Sequence, residues 1–365
     1  LIWRDELGHN PQATEEKMKD DYWYDLPKEL IAQAPANPRD TSKLLVYNTH
    51  TNVIEIDTFR TIAAHLPSSS VFILNDAKVV PARCELKKKT GGKVKVLFLV
   101  NEWIMSPERA IPCFVDRKVS VGDELTFPNG AKVYVENQQE QLFSLRWNGS
   151  KEEFIEILNT YGTMPIPPYI KHSPLNRDEL MEKYQTVFAQ SPGSSAAPTA
   201  SLHFTQGVFT SLAEKGIQKS HVTLHVGLGT FAPLTQENLI QGTLHKEWIE
   251  VPQSTADFIA QAKKESKTIC AVGTTVVRTL ESYALYGKQS HSFAGDTDLF
   301  IRPGFQFKLV DHMITNFHLP SSSLMMLVDA FLAQKNAKKR IIELYEIAKK
   351  EHFRFYSFGD AMLIL

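Results

Sequence analysis

Between Ser70 and Asn148 the chain reads Val71-Phe-Ile-Leu74, Val79-Val80, Lys93-Val-Lys-Val-Leu-Phe-Leu-Val100, Ala110-Ile-Pro-Cys-Phe-Val115, Glu124-Leu-Thr-Phe127, Ala131-Lys-Val-Tyr-Val135 and Leu142-Phe-Ser-Leu-Arg-Trp147. Each piece is short and rich in β-branched and aromatic residues. Gly91-Gly92, Gly122-Asp123, Asn129-Gly130 and Asn148-Gly149 separate them. Asn-Gly supplies the left-handed conformations of a tight hairpin turn, and no helical spacing intervenes between the runs. Six or seven consecutive strands suggest a small closed barrel or a sandwich. We read residues 70–150 as an inserted all-β domain.

The flanking sequence has another rhythm. From Lys151 to Tyr161, the residues Phe154, Ile155, Leu158 and Tyr161 share one helical face, and Gly162 stops the pattern. His221 to Val226 alternates as a strand, with His221, Thr223 and His225 on one side. Ser254 is placed to cap a helix carrying Phe258, Ile259 and Ala262, and Thr268 to Val272 is a short apolar strand. Gly273-Thr274-Thr275 turns that strand into a helix with Val276, Val277, Leu280 and Ala284 inward. Leu324, Leu327, Val328 and Phe331 mark one more helix; Ile341, Leu344, Tyr345 and Ala348 mark another. Strands alternating with helices indicate packed α/β layers. The expected fold class is α/β, with a main layered α/β domain over residues 21–69 and 151–365, interrupted by the all-β domain. Residues 1–20 stand apart as an N-terminal extension.

Composition bounds the function. The 365 residues, 43% hydrophobic and 22% charged, describe an ordinary globular protein. With a formal net charge of -1, a nucleic-acid partner must be met by a local basic surface. No apolar run approaches the ~18 residues of a membrane span, and Leu1 to Asp20 lacks a signal-peptide core. Cys84, Cys113 and Cys270 lie far apart without zinc spacing, so no metal site is expected. Buried thiols in a reducing compartment, by default the cytoplasm, are the simplest reading. The sequence fixes no oligomeric state.

Several polar constellations fall at expected strand ends, where open α/β sheets place ligands. Tyr184, Gln185 and Thr186 precede Ala197-Pro198-Thr199, then His203-Phe204-Thr205, a run of small, rigid and polar residues around one imidazole. His225 leads into Gly227, Gly229, Thr230 and Phe231. That glycine pair does not complete GxGxxG, which rejects a dinucleotide fingerprint. Gly273, Thr274 and Thr275 open a helix, a position suited to a carboxylate, ribose or phosphate. Arg278 and Glu281 follow on the opposite face as an i,i+3 pair. Asp311, Thr315, Asn316, Phe317 and His318, with Leu319 and Pro320, form a polar-aromatic cluster before Ser321-Ser322-Ser323, natural helix caps. Glu247 beside Trp248 offers a carboxylate next to an aromatic plate, suited to a sulfonium or ammonium. Finally Lys87, Lys88, Lys89, Lys93 and Lys95 put five positive charges within nine residues around Gly91-Gly92, with Arg83 nearby. A charge run is usually a solvated tip, but a basic hairpin also suits an RNA backbone.

Longer stretches carry a resemblance. They include Arg39-Asp40 with Lys43-Leu-Leu45, Asn75-Asp-Ala-Lys-Val-Val-Pro-Ala-Arg83, Pro165-Ile-Pro-Pro-Tyr-Ile170 and Tyr184 to Thr205. Thr223-Leu-His-Val-Gly-Leu-Gly-Thr-Phe231, Gly273-Thr-Thr-Val-Val-Arg-Thr-Leu-Glu-Ser282, Phe300-Ile-Arg-Pro-Gly304, Ile314-Thr-Asn-Phe-His-Leu-Pro320 and Phe353-Arg-Phe-Tyr-Ser-Phe-Gly-Asp360 complete the set. Together they resemble the S-adenosylmethionine:tRNA ribosyltransferase-isomerase family of queuosine biosynthesis. The resemblance implies an α/β domain with an inserted β-barrel. It implies that the ribosyl part of S-adenosylmethionine, a cosubstrate and not a permanently bound cofactor, is transferred and rearranged onto 7-aminomethyl-7-deazaguanine. That base lies at the wobble position of a tRNA anticodon loop; epoxyqueuosine-tRNA, adenine and methionine result. Ser201 stands where the resembled motif has Gly, so a β-carbon is expected to crowd the ligand.

Such chemistry needs a base near the 5′ carbon beside the sulfonium, a donor for the departing adenine and a water-poor pocket. His203, His225 and His318 are the candidate acid-base groups, with Glu247 and Asp311 as alternatives. Gly227, Gly229, Thr230 and Gly273 to Thr275 are expected to hold the cosubstrate or the flipped base. Phe204, Phe231 and Phe317 are the candidates for stacking on it. Two rival readings are an RNA-binding module with a vestigial pocket and a ribosyltransferase acting on a free deazapurine.

Overall fold

The computed structural model describes residues 21–105, 110–227, 234–288 and 290–365. Strands β1 (Lys43–Asn48), β2 (Val53–Thr58) and β3 (Ser70–Asn75) come first. The short β4 (Ala77–Val79) leads into β5 (Arg83–Lys88), β6 (Lys93–Phe98), β7 (Ala110–Val115), β8 (Glu124–Thr126), β9 (Lys132–Gln139) and β10 (Leu142–Arg146). After these come β11 (Ser191–Ser194), β12 (Gln218–Leu224), β13 (Thr243–Val251), β14 (Thr268–Val272), β15 (Phe293–Leu299), β16 (His312–Asn316) and β17 (Ala361–Ile364). Among the described residues nine strands form one sheet, ordered β15-β13-β12-β3-β14-β16-β17-β1-β2, and six close a barrel, β10-β7-β6-β5-β8-β9. The α/β fold with an antiparallel barrel inserted in it is therefore present.

The barrel begins later than the sequence reading placed it. β3 pairs in parallel with β12 and β14 at the centre of the large sheet, and β4 pairs with β11 in a two-stranded ribbon. The signal was in the pattern. All of β3 is buried, because both sheet faces are covered, and such a strand reads as an unbroken apolar run. Barrel strands alternate instead: in β5, Cys84 and Leu86 are buried between exposed Arg83, Glu85 and Lys87. The helix α1 (Lys151–Tyr161), grouped in sequence with the layered region, packs into the barrel core. Ser150 and Glu153 close a capping box at its start. Phe154 then meets Phe98, Trp103 and Trp147 at 5.0, 5.3 and 5.5 Å between ring centroids. Truncating such a plug costs about 3–5 kcal/mol.

Alternation through the large sheet feeds two cores. Leu45, Tyr47, Val71, Ile73, Ile269 and Ala271 point to the side covered by α3 (Gln253–Lys264), α4 (Thr274–Tyr286), α5 (Ser323–Gln334) and α6 (Ile341–Lys350). Leu44, Val46, Phe72, Leu74, Cys270 and Val272 point to the side covered by α2 (Gln206–Glu214). Helix α3 starts at Gln253 after Pro252, one residue before the expected Ser254 cap. β12, β3, β14 and β16 run parallel. β12 and β14 lie on opposite sides of β3, so the strand order reverses there, and the carboxyl edge of that reversal is where such sheets bind ligands.

Candidate active site

At this edge Asn75 ends β3 and organises its neighbours. Its Oδ1 accepts from the Leu224 and Ala77 N–H groups at 3.1 and 3.0 Å. Its Nδ2 donates to the Leu224 carbonyl at 3.0 Å and to Thr275 Oγ1 at 3.3 Å. Gly273, at φ 94°, makes the turn from β14 into α4 in a region that side chains disfavour. Its N–H donates to the Ile314 carbonyl at 2.8 Å, which ties the turn to β16.

These ties open a cleft. Its walls are Ala197 to Ala200, Val226, Gly273 to Thr275 and Thr315 to Leu319, with Ser322, Leu324, Tyr169, Tyr356 and Ser357. Turns distant in sequence thus meet in one cavity, and among the described residues no Asp, Glu, Lys or Arg lines it. Tyr169 and Tyr356 form an aromatic corner with ring centroids 4.8 Å apart. The Tyr169 hydroxyl and Ser357 Oγ are 2.7 Å apart.

The three candidate histidines separate clearly. His318 lines the cleft, its Nε2 2.8 Å from Thr315 Oγ1. Its backbone is pinned: its N–H donates to the Tyr345 hydroxyl at 2.7 Å, and its carbonyl accepts from Tyr24. Nδ1 has no protein partner among the described residues. Burial pushes its imidazole down to about 3, so the ring is neutral at neutral pH. His203 stands one layer behind. Asn316 takes the Thr199 hydroxyl at 2.8 Å on Oδ1 and offers Nδ2 to His203 Nε2 at 3.3 Å. The Ser42 hydroxyl donates to the Arg39 carbonyl at 3.2 Å, so His203 Nδ1, 2.8 Å away, carries the proton toward it. Burial, then the Arg354 and Arg39 charges, push His203 down to about 3. His225 does not line the cleft; its buried Nδ1 is unpartnered, and burial pushes the ring down to about 4.

Neither candidate carboxylate reaches the cavity. Glu247 is buried in an ion pair with Arg278 and accepts the Gly227 N–H at 2.9 Å. Arg278 Nε donates to the Leu299 carbonyl at 3.1 Å. The expected pairing of Arg278 with Glu281 does not form: Glu281 accepts the Lys308, Leu309 and Val310 N–H groups at 2.7 to 3.1 Å. Asp311 sits at the amino end of β16, opposite the cleft, where it accepts the Ile269 N–H at 2.8 Å and meets Lys263 at 3.4 Å.

Other expected site residues turn out to build the scaffold. Gln185 clamps Val79 with bonds of 3.0 and 2.7 Å. Thr205 caps α2 and donates to Asp40 at 2.9 Å. Tyr184 and Thr186 are buried with unpartnered hydroxyls. Phe204 is core, 4.9 and 5.0 Å from Phe59 and Phe209, so it offers no free face for a base. Phe317 borders the cleft but is fully buried against Tyr345, Phe353 and Phe355. Gly229, Thr230 and Phe231 lie outside the described residues. Ser201 does not line the cleft, so the crowding expected of its β-carbon is absent there.

Sequence reasoning missed Tyr169, Tyr356, Ser357 and Ser322 as wall residues. The first three lie inside stretches that carried the family resemblance, which was the available signal. The positive φ of Tyr356, 72°, was not readable.

The basic residues lie elsewhere, on the barrel. β5 and β6 pair with Lys87 opposite Lys93 and Glu85 opposite Lys95. The turn between them is closed by the Lys88 N–H on the Gly92 carbonyl at 2.8 Å. Lys93 pairs with Glu85 at 2.6 Å, Lys88 reaches the Lys118 carbonyl, and Lys87 and Lys89 are exposed. Arg83 is exposed on the same strand.

Among the described residues no helix is long and apolar enough to cross a membrane. No cluster of His, Cys, Asp and Glu there could hold a metal. The three cysteines are buried and unpaired.

Comparison with known proteins bears on this arrangement. A relative from Carboxydothermus hydrogenoformans is 40% identical over 96% of this chain and 100% of its own length. One from Desulfotalea psychrophila is 42% identical over 94% of this chain and 97% of its own. Both are named S-adenosylmethionine:tRNA ribosyltransferase-isomerase. The crystal structure of S-adenosylmethionine tRNA ribosyltransferase from Thermotoga maritima is 33% identical. It aligns with a TM-score of 0.54 over 94% of this chain and all of that one. Residues 19–364 match the family described as queuosine biosynthesis protein, and with the layered sheet, the inserted barrel and full-length relatives in agreement, the chain belongs to that family.

Proposed function

We propose that this chain is an S-adenosylmethionine:tRNA ribosyltransferase-isomerase, acting on 7-aminomethyl-7-deazaguanine at the wobble position of a tRNA anticodon loop. The observation that carries the reading is the convergence of the Thr199, Thr274 and His318 turns on one cleft in a chain with such relatives. The cleft is neutral, with an aromatic corner at Tyr169 and Tyr356. Ring faces attract a cation, so this corner suits a sulfonium better than a paired carboxylate would. The sulfonium acidifies the adjacent 5′ carbon. A base removes one proton there, adenine leaves the sugar with a proton, the aminomethyl nitrogen attacks, and methionine departs as the epoxide closes.

His318 is the acid-base group in this reading. Its pinned backbone fixes the ring, which is neutral at neutral pH; in the tautomer that donates from Nε2 to Thr315 Oγ1, the open Nδ1 is the nitrogen that accepts the proton. His203 positions Asn316, and through it Thr199, from behind the wall. Glu247 and Arg278 brace the segment at Gly227. The exposed face of the β5–β6 hairpin, with Arg83, Lys87, Lys88, Lys89 and Lys93, tracks the RNA backbone. Buried unpaired thiols suit a reducing compartment, so we place the reaction in the cytoplasm.

Adenine release from S-adenosylmethionine, measured with precursor-containing tRNA and with the free deazapurine, tests this. Release only with tRNA is the expected result. Release with the free base, or none with either, refutes it.

A further inference from the structure

We infer that the starts of α4 and α5 form an oxyanion subsite in the cleft, which takes the carboxylate at the amino-acid end of S-adenosylmethionine. This deepens the reading just given and rests on it. Both helices begin at the cavity wall, α4 at Thr274 and α5 at Ser323, and run for 13 and 12 residues. The first N–H groups of a helix have no intrahelical acceptor and carry partial positive charge. Side chains normally supply the missing partner; Gly273, the N-cap of α4, has none to offer, and Ser322, the N-cap of α5, makes no side-chain cap bond.

The hydroxyls at these two starts are also unused. Thr274 lines the cleft at 7% exposure and makes no side-chain hydrogen bond among the described residues. Ser322 Oγ is buried on the same wall with no partner among the described residues. Buried donors are almost always satisfied, so two idle hydroxyls beside two helix starts point to an acceptor that arrives with the ligand. With no charged side chain among the described residues of the wall, the site suits one negative charge held by N–H and O–H groups. A carboxylate on a flexible alkyl arm can reach so buried a wall. A phosphodiester, flanked by two riboses, needs a more open floor.

The test titrates S-adenosylmethionine, its decarboxylated analogue and precursor tRNA separately into wild type, Thr274→Val, Thr274→Ser and Ser322→Ala. Thermal melts check that each variant folds. Thr274→Val should weaken S-adenosylmethionine about ten-fold, the scale of one hydrogen bond to a charged group. Ser322→Ala should weaken it by a smaller factor, and Thr274→Ser should restore wild-type binding. None should alter binding of the decarboxylated analogue or of tRNA. Equal loss for both sulfonium compounds, or loss for neither, overturns the subsite. Weakened tRNA binding with S-adenosylmethionine unaffected makes the oxyanion an RNA phosphate and overturns the carboxylate assignment. Wild type that binds no S-adenosylmethionine refutes the proposed function itself, a separate result.

Discussion

The cleft at the carboxyl edge of the large sheet and the basic hairpin of the barrel carry the two functional patterns, on opposite physical terms. In the cleft, positions are fixed by buried bonds: Asn75 ties three chain segments, and Asn316 links Thr199 to His203. On the hairpin, Arg83, Lys87 and Lys93 are exposed along a strand pair whose inner residues fill the barrel. Exposed charges act through a field screened within ~8–10 Å at physiological salt, whereas buried contacts barely notice ionic strength. The difference teaches where to look for each kind of effect. Changes in the cleft should be large, local and insensitive to salt; changes on the hairpin should be small, additive and salt-dependent.

The largest expected effect is on turnover. His318→Ala should slow adenine release about 100- to 10,000-fold, the usual contribution of a positioned acid-base group, while tRNA affinity and its salt slope stay unchanged. A variant that kept its rate would remove His318 from the chemistry. One that also lost the salt slope would erase the separation between the two regions.

Next comes the brace behind the cleft. Arg278 and Glu247 are a buried pair, and Arg278→Met strands the carboxylate without its cation. Breaking a buried pair from one side costs about 3–5 kcal/mol, so the urea midpoint should fall steeply. An unchanged midpoint would mean that the pair does not hold Gly227 in place. The buried histidines add a pH dependence. His203 and His225 fold as neutral rings with values lowered from 6.5 to about 3 and about 4. The unfolded chain binds more protons than the folded one between those values, so stability is full above about pH 6.5 and falls as the pH drops. Unfolding midpoints at pH 7 and pH 5 check this, and His203→Gln should flatten the slope.

The two regions were also unequally legible in the sequence. The all-β domain was plain from alternation and turns, because one face of each strand meets the core and the other meets water, though these left barrel and sandwich both open. Its first boundary failed at β3, where cover on both faces removes the alternation. In the cleft, the turns at Thr199, Gly273 and Asn316 could be found because small and polar residues cluster there for few other reasons. The roles of neighbouring residues could not. Whether His203 touches a ligand or stands behind Asn316 depends on strands that pair across more than a hundred residues, as does the burial of Phe204. Glu247 looked like a sulfonium partner because its true partner, Arg278, lies 31 residues away on another element.

On the hairpin the expected effect is smaller. Replacing Lys87, Lys89 and Lys93 with Gln should lower the dependence of log affinity on log salt by about 0.7–0.9 for each lost phosphate contact. Turnover at saturating tRNA should not change. An unaltered slope takes the hairpin out of the RNA interface, and a fall in saturated turnover would show that its charges reach the cleft after all.

The smallest effect is expected at Ser201, and it probes the border of the cleft directly. Ser201 closes the turn whose Thr199 and Ala200 line the cavity, yet it is fully buried on the other side, with Oγ unpartnered. Removing an unsatisfied buried hydroxyl relieves its desolvation, so Ser201→Ala should stabilise the fold by about 1 kcal/mol without changing turnover. Ser201→Gly also removes the β-carbon; it should leave the rate unchanged and lose part of that gain to backbone entropy. Faster turnover in the glycine variant alone would mean that the β-carbon crowds the ligand, and that this wall of the cleft lies one residue further along the turn.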